Sequence, residues 1–370
     1  MVDGFCDPQF SRVRDAFASN LASGLEHGGG VSVVAGGRTV VDLWGGHADA
    51  ARQRAWQRDT LVNVWSVTKG IMAIAMAMMV ERGRLDYAAP VSRWWPEFAQ
   101  GGKSGLTLDL VLSHQAGLNG LSVPMAEAGL YAWTPYADAL AAMAPLWEPG
   151  THCIYHTLSF GALTGEILRR VDGRRPGQFV REEIARPLGI EFHIGLPESE
   201  EPRVAEMSEG EGASRWIKAV QESPFPHSCR NPVPRALAPN DRAWRAAEIP
   251  GGNGHATARD LAAIYGTLAG GSGKGLLSPE MIREASRPRV RGWDGSFAAP
   301  AAFAAGFQIE ESLGLGRSAA FGHNGWGGSI GFADPEAGFG FGCVTNLMLA
   351  ADDAQDPRQK ALVDSVYASL

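Results

Sequence analysis

The stretch SVTKGIMAIAMAMMV, residues 66–80, says most about the fold and the chemistry of this chain. It continues from Ile71 to Val80 without a charged residue, which predicts a buried helix that starts near Ser66 and ends at Gly83. Ser66 and Lys69 stand three residues apart, so their side chains would share one face of this helix. Burial disfavours the ammonium form of a lysine. An uncharged Lys69 could take the proton of the Ser66 hydroxyl and make it a nucleophile.

Two further observations bear on this pair. The N–H groups at a helix N-terminus are free to stabilise an oxyanion beside Ser66. Lysine is rare in this sequence, with five lysines among 33 basic residues, and only Lys69 has a serine three residues before it. The competing interpretation is an ordinary helix-capping serine with a lysine that extends to solvent.

Working outward from this helix, the hydrophobic pattern predicts one sheet divided between the two ends of the chain. A Gly-Gly turn at Gly36 predicts a hairpin over residues 31–44. The remaining predicted elements are helices at residues 10–25, 106–112, 136–143, 158–171, 179–184, 258–268 and 358–370, long loops at 195–249, and strands at 303–309, 329–334 and 339–346.

This order predicts an α/β sandwich, an antiparallel sheet flanked by helices. Residues 1–64 and 250–370 would form a discontinuous sheet domain. Residues 65–249 would form a mostly helical inserted domain that carries the nucleophile helix.

Composition and charge exclude several classes of protein. Hydrophobic residues make up 45% and charged residues 20% of the chain, and the net charge is −7. This is the balance of a globular protein, and it argues against nucleic-acid binding. The longest apolar run is about half a membrane span, so membrane insertion is not expected. The first residues lack a signal-peptide pattern and the four cysteines lack CxxC spacing, which predicts a cytoplasmic protein without a metal site.

Two other residues are candidates for catalysis. Ser329 lies in GGSIG, which matches the Gly-x-Ser-x-Gly nucleophile elbow, but that motif needs a strand–turn–helix and a later histidine. His323 is the last histidine of the sequence, so Ser329 is not expected to be the nucleophile. Tyr155 precedes a predicted helix, and beside a lysine ammonium its phenolate form would be favoured and could act as a base. A packed, protonated tyrosine is the alternative.

Several motifs in order resemble the serine β-lactamase-like superfamily, which includes class C β-lactamases, D-Ala-D-Ala carboxypeptidases and family VIII carboxylesterases. The resemblance extends from about residue 10 to residue 350 and is carried by the segments SVTK (66–69), LD (85–86), PV (90–91), VLSHQAGL (111–118), PGT (149–151), Tyr155 and PLG (187–189).

The resemblance implies roles for individual residues. In the family the serine of Ser-x-x-Lys is acylated and the lysine is a general base, which implies these roles for Ser66 and Lys69. Tyr155 matches the family's Tyr-x-Asn motif in its first position only, since Thr157 stands where asparagine is expected.

The family's Lys-Thr-Gly motif corresponds here to His323-Asn324-Gly325, followed by Trp326-Gly327-Gly328. A histidine that is mostly neutral binds a substrate carboxylate less well than a lysine. A tryptophan beside the site would favour apolar groups. The Trp-Gly-Gly variant (326–328), the Tyr-His-Thr variant (155–157) and the Gly-x-Ser-x-Gly around Ser329 resemble the family VIII carboxylesterases.

The sequence therefore predicts a serine carboxylesterase for short-chain neutral esters, with Ser66, Lys69 and Tyr155 as catalytic residues. The backbone N–H groups of Ser66 and Trp326 would form the oxyanion hole. The substrate-binding residues would be His323, Asn324, Gly325, Trp326 and Gly327.

No metal or organic cofactor is expected, and the only expected partner is a small-molecule ester, with weak β-lactam binding as a side activity. The alternatives are a β-lactamase or D-Ala-D-Ala carboxypeptidase, an acyltransferase, and a catalytically silent protein on the same scaffold.

Overall fold

The strands of the protein form one large sheet and two small ones. The computed structural model describes residues 2–270, 275–350 and 356–370. In chain order the strands are β1 (Val2–Cys6), β2 (Gly28–Ala35), β3 (Arg38–Gly46), β4 (Val62–Asn63), β5 (Ser208–Glu209), β6 (His255–Ala256), β7 (Val290–Asp294), β8 (Ala299–Phe303), β9 (Gln308–Ile309), β10 (Phe321–Asn324), β11 (Ile330–Asp334), β12 (Phe339–Thr345) and β13 (Leu347–Met348).

The large sheet has nine strands in the order β1-β3-β2-β12-β11-β10-β9-β8-β7, and all neighbours are antiparallel. β4 pairs with β6, and β13 pairs with β5. The predicted hairpin is confirmed, because β2 and β3 are joined at Gly36 and Gly37, both of which have positive φ. The predicted antiparallel sheet flanked by helices is also confirmed.

The helices precede, interrupt and follow this sheet. They are α1 (Ser11–Ala22), α2 (Val67–Glu81), α3 (Leu108–Leu112), α4 (Glu127–Tyr131), α5 (Thr134–Ala142), α6 (Ser159–Asp172), α7 (Pro176–Phe179), α8 (Arg186–Leu188), α9 (Arg215–Glu222), α10 (Arg242–Ala246), α11 (Ala258–Gly266), α12 (Pro279–Ser286), α13 (Glu310–Leu313) and α14 (Pro357–Tyr367). A π-helical turn, Val180–Ala185, connects α7 and α8.

The two faces of the sheet are covered by different helices. On one face α1 and α14 pack together over apolar side chains of the central strands, including Val33, Phe332 and Phe341. On the other face α11 lies directly on β12, where a Cβ at Gly340 or Gly342 would clash with the backbone of α11. α2 packs beside it against β10 and β11, and its residues from Val67 to Met79 are all buried.

Some strands differ from the sequence-based expectation. The predicted strand at 303–309 is interrupted, because β8 ends at Phe303 and Gly306 turns the chain with a φ of 89° before β9 begins. β1, β7 and β10 were not predicted. The sheet strands come from residues 2–46 and 290–345, with most helices between them. The exact domain boundaries at residues 64 and 250 stay a prediction.

Candidate active site

Ser66 lies at the turn from β4 into α2. The preceding residue, Trp65, has a φ of 48°, a conformation that is costly for a residue other than glycine and is often found at functional sites. Trp65 is almost fully buried, and its ring packs against those of Trp244 and Trp326. This packing holds the strained turn that presents the half-buried Ser66 at the start of the helix.

Lys69 lies one helical turn further and is fully buried. Its Nζ is 2.9 Å from Ser66 Oγ and donates to the carbonyl oxygen of Gly251 at 2.5 Å. Burial lowers the pKa of Lys69 well below its usual value, and no carboxylate contributes to hold the charge. An uncharged amine is therefore placed to accept the proton of Ser66.

Gly251 reaches Lys69 because the chain around it is tightly held. Asn253 accepts a hydrogen bond from the N–H of Ile249 at 2.8 Å and donates to the carbonyl of Trp244 at 2.9 Å. A Cβ at Gly161 in α6 would clash with the backbone of Gly251. The loop thus fits between α6 and α2, and its carbonyl fixes the position of the amine.

Tyr155 completes the group around Ser66. Lys69 Nζ lies 4.9 Å from the centre of the Tyr155 ring. Burial raises the pKa of Tyr155, while a hydrogen bond with Ser66 acts in the opposite direction. Because burial disfavours the charged form of both groups, these shifts favour the protonated tyrosine over a phenolate beside a lysine ammonium.

His323 lies on β10, next to α2, and faces Tyr155. Its Nδ1 is 2.7 Å from the carbonyl oxygen of Asn324, so Nδ1 carries the proton and Nε2 is an acceptor. The Tyr155 hydroxyl lies 3.4 Å from Nε2. Burial, reinforced by Lys69, lowers the pKa of His323 to about 3. At neutral pH His323 is therefore uncharged. The resemblance places a positively charged lysine of the family's third motif at this position.

The turn Gly325–Ser329 follows β10 and brings the ring of Trp326 against that of Trp65, the residue before Ser66. Gly325 packs against the carbonyl of Val64, two residues before Ser66, where a Cβ would clash. The backbone N–H groups of Ser66 and Trp326 have no hydrogen-bond acceptor among the described residues. These are the two donors that the sequence predicts for the oxyanion hole.

Three other residues of this turn region have contacts within the fold. Asn324 Nδ2 donates to the carbonyl of Leu313 at 3.0 Å, which joins β10 to α13. Gly327 packs against Met348. Their predicted role in substrate binding stays a prediction. Ser329 is buried and leads into strand β11 rather than a helix, so the turn is not a nucleophile elbow.

Five aromatic side chains form a continuous arc from Trp65, next to Ser66, to Tyr155. We call this set the aromatic arc, and its neighbouring ring centres are 4.7 to 5.9 Å apart in the order Trp65, Trp326, Trp216, Phe297, Tyr155. The indole N–H of Trp326 donates to the carbonyl of Ala213 at 2.8 Å, which ties the segment before α9 to the turn. The walls of the site are therefore largely apolar.

Sequence reasoning missed several of these residues. His114 packs its ring 4.7 Å from that of Tyr155, and it lies in VLSHQAGL, a segment that already carried the family resemblance. Asp294 accepts from the backbone N–H of Tyr155 at 2.8 Å and from that of Phe297 at 3.2 Å. Asp294, Trp216 and Phe297 lie far from Ser66 in sequence and have no motif that could have signalled them.

In the described ranges no cluster of three or more His, Cys, Asp or Glu side chains is arranged to hold a metal ion. No helix in the same ranges is long and apolar enough to cross a membrane.

Comparison with known proteins agrees with this geometry. Residues 13–365 match the family model described as Beta-lactamase. Esterase/beta-lactamase LipL of Mycobacterium tuberculosis is 36% identical over 370 aligned residues, which cover 94% of this chain and 84% of that protein. A family VIII carboxylesterase of known structure has a TM-score of 0.93 and 40% identity over 100% of both chains. A penicillin-binding protein homologue from Caulobacter crescentus has a TM-score of 0.89 and 40% identity, also over 100% of both chains.

The chain belongs to the beta-lactamase family. Within it, the predicted resemblance to the family VIII carboxylesterases is confirmed. The protein is a serine hydrolase of the esterase/beta-lactamase type.

Proposed function

We propose that the protein is a carboxylesterase that hydrolyses short-chain, uncharged esters through an acyl-enzyme on Ser66. The observation that carries this proposal is the buried Lys69 amine, 2.9 Å from Ser66 Oγ, in a site where the neutral His323 replaces a cation. The first feature supports acyl transfer to serine, and the second supports substrates without a carboxylate.

Acylation begins when Ser66 Oγ attacks the ester carbonyl and its proton passes to the Lys69 amine. The oxyanion that forms accepts hydrogen bonds from the N–H groups of Ser66 and Trp326. The tetrahedral intermediate then collapses, the C–O bond to the alcohol breaks, and the leaving oxygen takes a proton from Tyr155. The proton on Lys69 restores that of Tyr155, and the acyl group stays on Ser66 Oγ.

Deacylation repeats these steps with water. A water molecule attacks the acyl carbonyl and gives a proton to the Lys69 amine. Collapse of the second tetrahedral intermediate breaks the bond to Ser66 Oγ, which takes that proton back, and the carboxylic acid leaves.

The aromatic arc supports both the polarity and the size of this substrate. Its rings present apolar surface to whatever group lies above Ser66, and an aromatic wall does not compensate the desolvation of a charged group. The arc starts at Trp65, next to Ser66, and ends at Tyr155, and we propose that it limits the length of the acyl chain.

A β-lactamase side activity is the second candidate. The name of the LipL relative includes both activities, and the acylation step is common to both. With a neutral His323 in place of a lysine, β-lactam carboxylates have a weaker anchor, so we expect cephalosporin turnover well below ester turnover.

The test compares aryl esters from acetate to octanoate with a chromogenic cephalosporin. The variants are Ser66→Ala and, as a matched control, Ser329→Ala, whose buried hydroxyl accepts only a 3.4 Å hydrogen bond from the N–H of Thr345. We expect Ser66→Ala to lose at least about 10³-fold in kcat and Ser329→Ala to stay near wild type. Ester turnover that survives in Ser66→Ala but not in Ser329→Ala would overturn the mechanism. Faster turnover of the cephalosporin than of any ester would overturn the substrate assignment.

A further inference from the structure

The turn Gly325–Ser329 rests on a guanidinium buried inside the protein. Arg358, at the start of α14, is 1% exposed. Its Nη2 donates to the carbonyl of Gly327 at 2.6 Å and pairs with Asp356 at 2.6 Å, and its Nη1 donates to the carbonyl of Leu347 at 2.8 Å. Burying a guanidinium costs free energy unless all of its N–H groups donate hydrogen bonds. In Arg358, one of these N–H groups donates to a carbonyl of the turn.

The next residue of the helix binds the next carbonyl of the turn. Gln359 Nε2 donates to the carbonyl of Gly328 at 2.9 Å. Gly328 has a φ of 122°, and a Cβ there would clash with the guanidinium of Arg358. Two consecutive side chains of α14 therefore bind two consecutive carbonyls of the turn. The guanidinium lies so close to residue 328 that only glycine fits there.

This anchoring determines where the Trp326 N–H points. Inside the turn, the carbonyl of Gly325 accepts from the N–H of Gly328 at 3.2 Å. The peptide between Gly325 and Trp326 is planar and trans, so the Trp326 N–H points in the opposite direction, out of the turn. Gly325 packs on the carbonyl of Val64, two residues before Ser66, which brings the turn to the entrance of α2.

We propose that Arg358 and Gln359 are positioning residues of the oxyanion hole, which hold the turn so that the Trp326 N–H stays aimed at the carbonyl oxygen of the substrate. This proposal rests on the proposed function, because it takes the Trp326 N–H as an oxyanion donor. Neither side chain touches the reacting atoms. Both act through the peptide backbone of the turn.

A purely structural role for Arg358 is the alternative, and Glu26 separates the two. Glu26 lies 3.3 Å from Arg358 Nη1, whereas the contact with the turn is made by Nη2. Glu26→Gln therefore changes the buried charge cluster and leaves the hydrogen bond to Gly327 in place. If the charge of the buried cluster mattered, rather than the hydrogen bond to Gly327, this variant would lose activity as the others do.

The experiment uses the full chain with Gln359→Met, Arg358→Lys and Glu26→Gln. Methionine keeps the volume of glutamine but cannot donate, and a lysine cannot hold Gly327, Leu347 and Asp356 together. Because loss of one oxyanion donor costs about 10²–10³-fold in kcat, we expect a displaced donor to cost about tenfold or more. The KM for an aryl acetate should change little. Affinity for an alkylboronic acid, which forms a tetrahedral adduct with Ser66, should fall by the same factor as kcat.

Three outcomes are distinguishable. Wild-type kcat and boronate affinity in folded Gln359→Met and Arg358→Lys would overturn the positioning role. An equal loss in Glu26→Gln would overturn it too, since that loss would come from the charge cluster. If wild type neither hydrolyses esters nor binds the boronate, the proposed function fails. In that case the effect of α14 on the turn is measured without a substrate, by the backbone amide resonance of Trp326 in ¹⁵N-Trp-labelled protein. This resonance must shift in Gln359→Met if the hydrogen bond from Gln359 holds the turn.

Discussion

Lys69 and Tyr155 show how burial can assign the roles of two ionisable groups at one nucleophile. Burial lowers the pKa of Lys69 and raises that of Tyr155, because it disfavours the charged form of each. Both shifts therefore favour the neutral form of each group. Lys69 can accept the proton of Ser66, and Tyr155 can donate one to a leaving alcohol. The sequence left open which of them is the principal base, and these shifts favour Lys69.

The pH dependence of ester hydrolysis follows from these shifts. We expect kcat/KM to rise with pH as Lys69 loses its proton, and to reach its plateau well below the usual lysine range of about 10.4. It should fall again only above the usual tyrosine range of about 10, as Tyr155 loses its proton. His323 should cause no inflection near pH 6.5, because its pKa is about 3.

The measurement is kcat/KM for an uncharged aryl ester from pH 5 to 11, with Tyr155→Phe and, as a control, Tyr136→Phe, a buried tyrosine. Tyr155→Phe should be slower at every pH and keep the acidic limb, while Tyr136→Phe should keep the wild-type rate and profile. A Tyr155→Phe variant as fast as wild type would contradict the assignment of Tyr155.

At the scale of elements, the long amphipathic or apolar segments could be predicted and the short ones could not. α2, the β2–β3 hairpin and α14 each carry a local pattern that decides their structure. β10 has only four residues and includes Gly322, and β7 is an edge strand with exposed positions, so neither shows the alternation expected of a half-buried strand. Their pairing depends on neighbours distant in sequence.

The same limit applies to the active site. Ser66 and Lys69 could be predicted because one helical turn joins them, and Tyr155 and His323 only because a family resemblance placed them. The Gly251 carbonyl and the ring of Trp216 meet the site through tertiary packing alone. No spacing in the sequence contains that information.

The aromatic arc leads to a prediction about acyl-chain length. Trp216 comes from α9 and Phe297 from the β7–β8 hairpin, and their rings stack with centres 5.5 Å apart. Replacing Trp216 by alanine opens space beside Trp326, and replacing Phe297 opens space beside Tyr155. We expect Trp216→Ala and Phe297→Ala to raise kcat/KM for hexanoate relative to acetate esters by about tenfold, the lower end of what one methylene contributes in an apolar pocket.

Trp293→Ala is the matched control, since Trp293 lies on the same hairpin but is 59% exposed. It should leave the ratio of hexanoate to acetate turnover unchanged. The measurement is kcat/KM for aryl acetate, butyrate, hexanoate and octanoate with all three variants. An unchanged or lower ratio in Trp216→Ala and Phe297→Ala would show that the arc does not limit the acyl chain.

At the scale of the whole molecule, the two ends of the chain meet behind the active site. α1 and α14 pack together on the face of the sheet opposite α2, and β1 pairs with β3 at one edge. Glu26, which follows α1, pairs with Arg358 of α14 and hydrogen-bonds to Thr345 of β12. Through Arg358 this contact between the ends continues to the turn that carries Trp326. The cluster of Glu26, Thr345 and Arg358 therefore contributes both to the packing of the two chain ends and to the position of the turn at the active site.

Glu26 should make the free energy of unfolding of the protein depend on pH. Burial raises its pKa to about 7, with Arg358 acting in the opposite direction, whereas an unfolded glutamate has a pKa of about 4.3. Between these values the folded protein binds more protons than the unfolded chain, so the contribution of Glu26 to stability is lost as the pH rises through about 7. At about 1.4 kcal/mol per pKa unit, the free energy of unfolding falls by an amount on the order of a few kcal/mol once Glu26 is fully ionised. Glu26→Gln cannot ionise, so its Tm relative to wild type should increase from pH 5 to pH 8.

Thermal unfolding of wild type and Glu26→Gln at pH 5, 6, 7 and 8 measures this effect, with Glu336→Gln at the exposed β11–β12 turn as the control. The control should follow wild type at every pH. A Tm difference between Glu26→Gln and wild type that is constant, or that shrinks with pH, would mean that Glu26 is ionised in the folded protein. In that case the guanidinium of Arg358 would outweigh burial, and the charge cluster behind the oxyanion turn would be held by a full ion pair rather than by a protonated carboxyl.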